Sequence, residues 1–214
     1  EDILGLLNLE NDNNSEKDKS EELDLDVERI DIGGPFGGND KQEYLKKNPT
    51  GLVPTLEDGD FILWESQAIC RYITEQYGRP PWAPESSLDR ALAGQWMDWY
   101  ITKLHPHMTV IFWTLIRTKP EERDLKAVND AVDLAAESWA LIDSELKNSD
   151  FLLGDSPTIA DIPVGCAVNR WFTLDIDRPP LPSLKRNIPN QVSFRDSINV
   201  FRSSEFSFNF VSFY

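Results

Sequence analysis

Residues 48–73 read NPTGLVPTLEDGDFILWESQAICRYI, and the hydrophobic period changes inside that stretch. Leu52–Leu56 and Phe61–Trp64 are short apolar runs on either side of Glu57-Asp58-Gly59-Asp60. Such runs around an acidic turn containing Gly predict a β-hairpin, because Asp and Gly tolerate the positive φ that tight turns need. From Ser66 the spacing is helical: Ala68, Ile69, Tyr72, Ile73 and Tyr77 share one face, and Gly78 ends it. Upstream, VERIDI (Val27–Ile32) alternates apolar and polar and predicts a strand, followed by the loop GGPFGGND. Asp40–Lys47 predicts a short helix, capped by Asp40 and stopped at Asn48-Pro49 because a residue before proline disfavours the helical region.

Downstream, RPPWAPESS holds three prolines in nine residues, which makes residues 79–88 a stiff linker and the domain boundary. Beyond Asp89 every periodic segment is helical. Leu92, Trp96, Trp99, Leu104, Met108, Ile111, Phe112 and Leu115 form a long amphipathic stretch interrupted at Pro106. Pro120-Glu121-Glu122 predicts the opening of the next helix, with carboxylates at its positive dipole end. Leu125, Val128, Val132, Ala135, Trp139, Ile142 and Leu146 then repeat at intervals of three and four. Thr158-Ile159-Ala160-Asp161 is a capping pattern that opens a further helix running to the region of Trp171, with Pro163 tightening its first turns. The fold class is therefore α/β followed by all-α. It comprises a mixed domain over residues 1–78, a helical domain over 89–200 and a hydrophobic tail over 201–214.

The chain has 214 residues, with 21 Lys+Arg against 37 Asp+Glu and a formal net charge of −16. Without a basic stripe, that balance argues against binding nucleic-acid phosphates. No run approaches the roughly 20 apolar residues of a bilayer span, and no leader pattern opens the sequence. A soluble, cytoplasmic protein without membrane partners is expected. Cys70 and Cys166 are too few for a disulfide framework or metal cluster and read as buried, inert thiols. His105 and His107, two apart, point different ways on a helix, so no metal is expected there. The acid is unevenly spread: residues 1–40 hold 13 acidic and 3 basic side chains. Glu10 to Asp26 has almost no apolar side chain before Leu23, which predicts either a solvated or disordered acidic segment or an altered structural element.

Three neighbouring features carry chemistry. Val53-Pro54 is either an ordinary edge-strand proline or a cis turn. The cis turn would face the Val53 amide and carbonyl outward to pair with an extended peptide. Ser66 is either a simple helix cap or, with the free amides of the first turn, a donor cluster suited to a carboxylate. Glu65 beside it can hold an ammonium group. Together the three describe a site for a small peptide with a free α-amino acid end, and glutathione has that form.

On these residues the chain resembles the cytosolic glutathione S-transferases. NPTGLVPTLEDGDFILWESQAICRYI looks like their glutathione-binding half. ERIDIGGPFGGND, DRALAGQWMDW and FLLGDSPTIADIPVGCAVNRWF are similar to bacterial members. The resemblance implies a thioredoxin-like N-terminal domain, an all-helical C-terminal domain and a homodimer. It also implies a glutathione thiolate added to small apolar electrophiles. Val53 would pair with the cysteinyl part of glutathione beside a cis Pro54, and Glu65 and Ser66 would hold the γ-glutamyl end. Thr158 and Asp161 would form the family's capping box, and Tyr100 would line the electrophile site.

The ends depart from that pattern. A Ser, Tyr or Cys near the N-terminus normally stabilises the thiolate in this family, and the matching position here is Leu9, which cannot donate a hydrogen bond. Asn11 is the remaining candidate near the sulfur, since Ser15 and Ser20 do not fit the family spacing. Asp12–Lys19 is polar where the family's first helix covers the sheet. At the other end, Phe206, Phe208 and Phe210 recur at a strand-like period of two. Two expectations follow: an active transferase, or a catalytically impaired binding module of the same fold.

Overall fold

The first strand, β1 (Asp18–Ser20), pairs antiparallel with β2 (Leu25–Val27), Asp18 opposite Val27 and Ser20 opposite Leu25. The computed structural model describes residues 18–20, 25–27 and 30–186. The acidic stretch contributes ladder backbone at residues 18–20 and 25–27, and the rest of it lies outside the described residues. A ladder needs only extended backbone groups facing each other, so the missing apolar stripe does not prevent it. The strand expected over Val27–Ile32 lies earlier, because the ladder partner ends at Val27. Residues 30–32 carry no regular structure, and a Gly33–Gly37 bridge then closes a 3₁₀ turn at Gly34–Phe36.

Helix α1 (Gln42–Leu45) is shorter than expected. Its cap residue is Lys41, with no side-chain capping bond, and Asp40 lies in the preceding turn. Strands β3 (Thr55–Asp58) and β4 (Phe61–Trp64) form the expected hairpin, Thr55 opposite Trp64 and Asp58 opposite Phe61. The two-residue turn is Gly59-Asp60, and Gly59 adopts φ 58°, where a Cβ is disfavoured. Helix α2 (Ser66–Tyr77) buries Ile69, Cys70 and Ile73, while Tyr77 remains exposed.

The chain divides into two compact units between Arg79 and Pro80. In the second, α3 (Ser87–Trp99) is capped by Ser86, whose Oγ accepts from the Asp89 amide at 3.0 Å. A π-helical turn, Tyr100–Leu104, leads into α4 (His105–Phe112). Pro106 explains the turn: it lacks an N–H, and its ring crowds the carbonyl four residues back. The stretch is widened there without being broken. A second π turn, Trp113–Arg117, ends it. Pro120–Glu122 forms a separate 3₁₀ turn, and the long helix α5 (Leu125–Glu145) starts only after Asp124, whose carboxylate accepts from the Ala127 amide at 2.9 Å. Val128, Val132, Ala135, Trp139 and Ile142 on α5 and Leu146 just after it are buried as the spacing predicts, whereas Leu125 is exposed. Helix α6 (Asp161–Thr173) completes the core, with Trp171 packed 5.9 Å from Trp139 between ring centroids. Residues 182–186 are helical.

Candidate functional site

The hairpin is fastened along α2 at its far end. The Tyr72 hydroxyl donates to Asp58 Oδ2 at 2.7 Å, and the Tyr77 hydroxyl donates to the same oxygen. Phe61 stacks on Tyr72 at 4.9 Å between centroids. Two phenol donors, Tyr77 first, hold the Asp58 carboxyl below its usual 3.8. The same bond to the carboxylate pushes the Tyr72 hydroxyl up to about 12. With the hairpin tip tied to the C-terminal half of α2, its open end lies at the helix N-terminus.

That open end carries the residues singled out in sequence. The Val53–Pro54 bond is cis. Neither backbone group of Val53 is engaged by another described residue. The ladder ends with Thr55 opposite Trp64, so Pro54 and Glu65 are the next residues as the chain leaves its two strands. Ser66 is the first residue of α2, and the N-cap position belongs to Glu65, whose side chain makes no capping bond. The amides of the first turn are therefore free of intrahelical partners and present a positive dipole end. Glu65 adopts φ 75° and ψ 114°, the only positive φ of a non-glycine residue among the described ones. Strain of that kind persists where the surrounding structure enforces it, and it clusters at ligand clamps.

The segment before Val53 is held by side chains that the sequence reading passed over. The buried Asn48 donates through Nδ2 to the Leu52 carbonyl at 2.7 Å and to Thr55 Oγ1 at 3.2 Å. The Tyr44 hydroxyl donates to the same Leu52 carbonyl and lies 2.8 Å from Thr55 Oγ1. Asn48 Oδ1 accepts from the Thr50 amide and hydroxyl at 3.1 and 2.6 Å. Asn39 donates to the Gly51 carbonyl at 2.7 Å, next to a φ of 67° at Gly51. The available signal was Asn48-Pro49-Thr50, whose Asn and Thr favour side-chain-to-backbone turns.

Of the other candidates, Leu9 and Asn11 lie outside the described residues, as do Ser15, most of the expected first helix and the Phe206–Phe210 tail. Tyr100 is only 2% exposed, inside the helical unit, with its hydroxyl 3.2 Å from His105 Nδ1. His105 Nε2 in turn lies 3.3 Å from Thr109 Oγ1. Trp113 and Ile116, by contrast, are 39% and 54% exposed. Cys70 is buried and Cys166 half-buried, and neither is in a disulfide. Among the described residues no His, Cys, Asp or Glu cluster could hold a metal, and no helix is long and apolar enough to cross a membrane.

In the helical unit, the Asp161 carboxylate organises the start of α6. Its Oδ2 accepts from the Thr158 amide at 2.9 Å and the Thr158 hydroxyl at 3.2 Å, while Oδ1 accepts from the Leu152 amide at 2.8 Å. Thr158 Oγ1 accepts from the Ala160 amide at 3.3 Å, so the reciprocal pattern forms one residue short of a full capping box. Burial pushes the Asp161 carboxyl up, against those hydrogen bonds.

The comparisons decide the family. Residues 20–81 match the glutathione S-transferase N-terminal domain, and residues 104–199 match the glutathione S-transferase C-terminal domain. The chain belongs to the glutathione S-transferase family. It is 39% identical over 168 residues to glutathione S-transferase GstB of Escherichia coli, covering 78% of this chain and 81% of that protein. It is 30% identical over 174 residues to Drosophila melanogaster glutathione S-transferase D7, covering 78% and 74%. Among solved structures it is similar to the theta class glutathione S-transferase of Xanthomonas axonopodis pv. citri with glutathione bound. That match has a TM-score of 0.74 and 38% identity over 79% of this chain and 81% of that one. A thioredoxin-like N-terminal domain followed by a helical C-terminal domain is the fold these relatives share with it.

Proposed function

We propose that this family member binds glutathione on the Val53 backbone and the Glu65–Ser66 turn and adds its thiolate to small apolar electrophiles. The observation that carries the reading is a Val53 backbone with no partner among the described residues, beside the cis Val53–Pro54 bond, together with a positive φ at Glu65 where α2 opens. Val53 supplies one donor and one acceptor to the cysteinyl residue, as an added strand would. The Ser66 end receives the γ-glutamyl α-carboxylate, and Glu65 its ammonium. A thiol with a pKa near 8.5 is mostly protonated at neutral pH, so turnover depends on a donor that favours the thiolate. Asn11 is the candidate for that role, and orientation of the bound tripeptide supplies most of the remaining rate. The exposed Trp113 and Ile116 suit an apolar electrophile better than the enclosed Tyr100. No metal takes part in this chemistry. The working form is a cytoplasmic homodimer, as the family implies.

Leu9 at the family's hydroxyl position favours a second reading, a glutathione-binding or protein-interaction module with impaired transfer chemistry. Retention on immobilised glutathione together with conjugation of an aryl halide supports the transferase. Retention without conjugation supports the module, and activity gained by Leu9→Ser would then locate the defect. If Ser66→Ala is retained as well as the parent chain, the site assignment is wrong.

A further inference from the structure

The Leu52 carbonyl and the Val53 N–H belong to one peptide group. A peptide group is planar, and in its trans form the N–H points opposite to the carbonyl. The 52–53 bond is not among the cis bonds, so fixing the Leu52 carbonyl fixes the direction of the Val53 N–H. Two side chains fix it at once: the Tyr44 hydroxyl and Asn48 Nδ2 both donate to the Leu52 oxygen and occupy both its lone pairs. The same two side chains meet Thr55 Oγ1 on the far side of Val53-Pro54. Both flanks of the dipeptide are therefore gripped by one pair of residues, while Val53 itself is left with no partner.

We infer that Tyr44 and Asn48 are positioning residues that aim the Val53 N–H at the cysteinyl carbonyl of glutathione. They touch neither the thiol nor the γ-glutamyl end. This rests on the glutathione site proposed above, and it divides that site into two independently supported halves. The Glu65–Ser66 half is set by the hairpin and the start of α2; the Val53 half is set from α1 and Asn48. The network also accounts for its own polar atoms. Asn48 donates twice and accepts twice, and Thr55 Oγ1 accepts from Asn48 and donates to the Tyr44 oxygen, whose own proton goes to Leu52.

The test titrates the full chain with two probes, glutathione and γ-glutamylmethylamide, which keeps the α-amino acid end and nothing beyond the γ-carbonyl. Tyr44→Phe and Asn48→Ala are each expected to weaken glutathione about fivefold, the value of one aimed hydrogen bond, and to leave γ-glutamylmethylamide within about twofold. Thr55→Val, which keeps the side-chain shape, serves as the third variant should Asn48→Ala fail to fold, and it is expected to show the same selectivity. Ser66→Ala, as the reference, should weaken both probes. Equal loss of both probes in the Tyr44 and Thr55 variants, with a lowered Tm, would mean general structural support and overturn the inference. So would unchanged glutathione binding in those variants while Ser66→Ala loses both probes, a result that leaves the site itself standing. Ser66→Ala losing neither probe would remove the site and this inference with it.

Discussion

The two units hold their structure by different means. The helical unit rests on side chains with essentially no exposure, Leu104, Ile111, Trp139, Ile142 and Trp171 among them, and on one enclosed carboxylate, Asp161. Around the proposed site the described residues of the hairpin unit are held by polar bonds: the Asp58 staple to Tyr72 and Tyr77, and the grip of the buried Tyr44 and Asn48 on Leu52. Apolar burial is non-directional and tolerant, whereas hydrogen bonds fix orientation at small net stability. The contrast suits the proposed function, since a site that offers backbone to a ligand needs orientation. The positive φ at Glu65 fits that division, since strain at the site has to be offset by packing elsewhere.

The comparison breaks most sharply at Asp161. Replacing it with Ala leaves the buried Leu152 amide and the half-buried Thr158 amide without their acceptor and unties the loop from α6. A loss of about 3–5 kcal/mol is expected, typical of breaking a buried charged network. Urea unfolding followed through Trp139 and Trp171 measures it, and a loss below about 1 kcal/mol would show that the carboxylate is incidental to this unit.

A smaller effect of opposite sign is expected at Glu65. Glycine tolerates φ 75° without a Cβ penalty, so Glu65→Gly should stabilise the hairpin unit by about 1 kcal/mol through relief of strain. The greater freedom of glycine in the unfolded chain offsets part of that gain. The same change removes the carboxylate assigned to the ammonium group, so glutathione affinity should fall while Tm rises. A variant that loses both affinity and stability would show that the turn is not strained in the native state.

Much of this contrast was legible in the sequence. The hairpin, α2, the linker and the long helical faces all announce themselves by period, because burial selects residues at two- or 3.6-residue spacing. The misplaced features share a cause. Residues 18–20 pair through their backbone, which leaves no trace in side-chain pattern, and the strand expected over Val27–Ile32 shifted with them. The start of α5 was placed at Pro120 when Asp124 provides the cap, since several residues there satisfy the same opening rule. At the proposed site, Val53, Glu65 and Ser66 were singled out by residue type and spacing. Tyr44 and Thr55 were not, because their role depends on which carbonyl they reach, and that follows only from the folded loop. The burial of Tyr100 was hidden for a similar reason: the π turn before Pro106 rotates the residues around it relative to a regular helix.

The smallest expected effect concerns protons, and it sharpens the comparison because the two units respond in opposite directions. Asp58 has its folded-state value lowered, so its bonds to Tyr77 and Tyr72 stabilise the hairpin unit above the ordinary 3.8 and are lost as pH falls through the lowered value. Tyr72 is raised from 10.0 to about 12, so its contribution is complete below 10 and is lost as pH climbs through 12. Asp161 is raised by burial, so the helical unit gains as pH falls through that raised value toward 3.8, whereas the hairpin unit loses its contribution only below 3.8. Acidification below about pH 4 should therefore release the hairpin before the helical core, read as early amide exchange at Asp58–Phe61 while the amides around Trp139 stay protected. Asp58→Asn removes the charge that Tyr72 faces, and tyrosinate absorbance should then place the Tyr72 titration back near its ordinary 10. If that titration stays near 12 in the variant, the staple depends on the packing of Phe61, Tyr72 and Tyr77 and not on the carboxylate, and the division between an oriented unit and a packed one loses its clearest example.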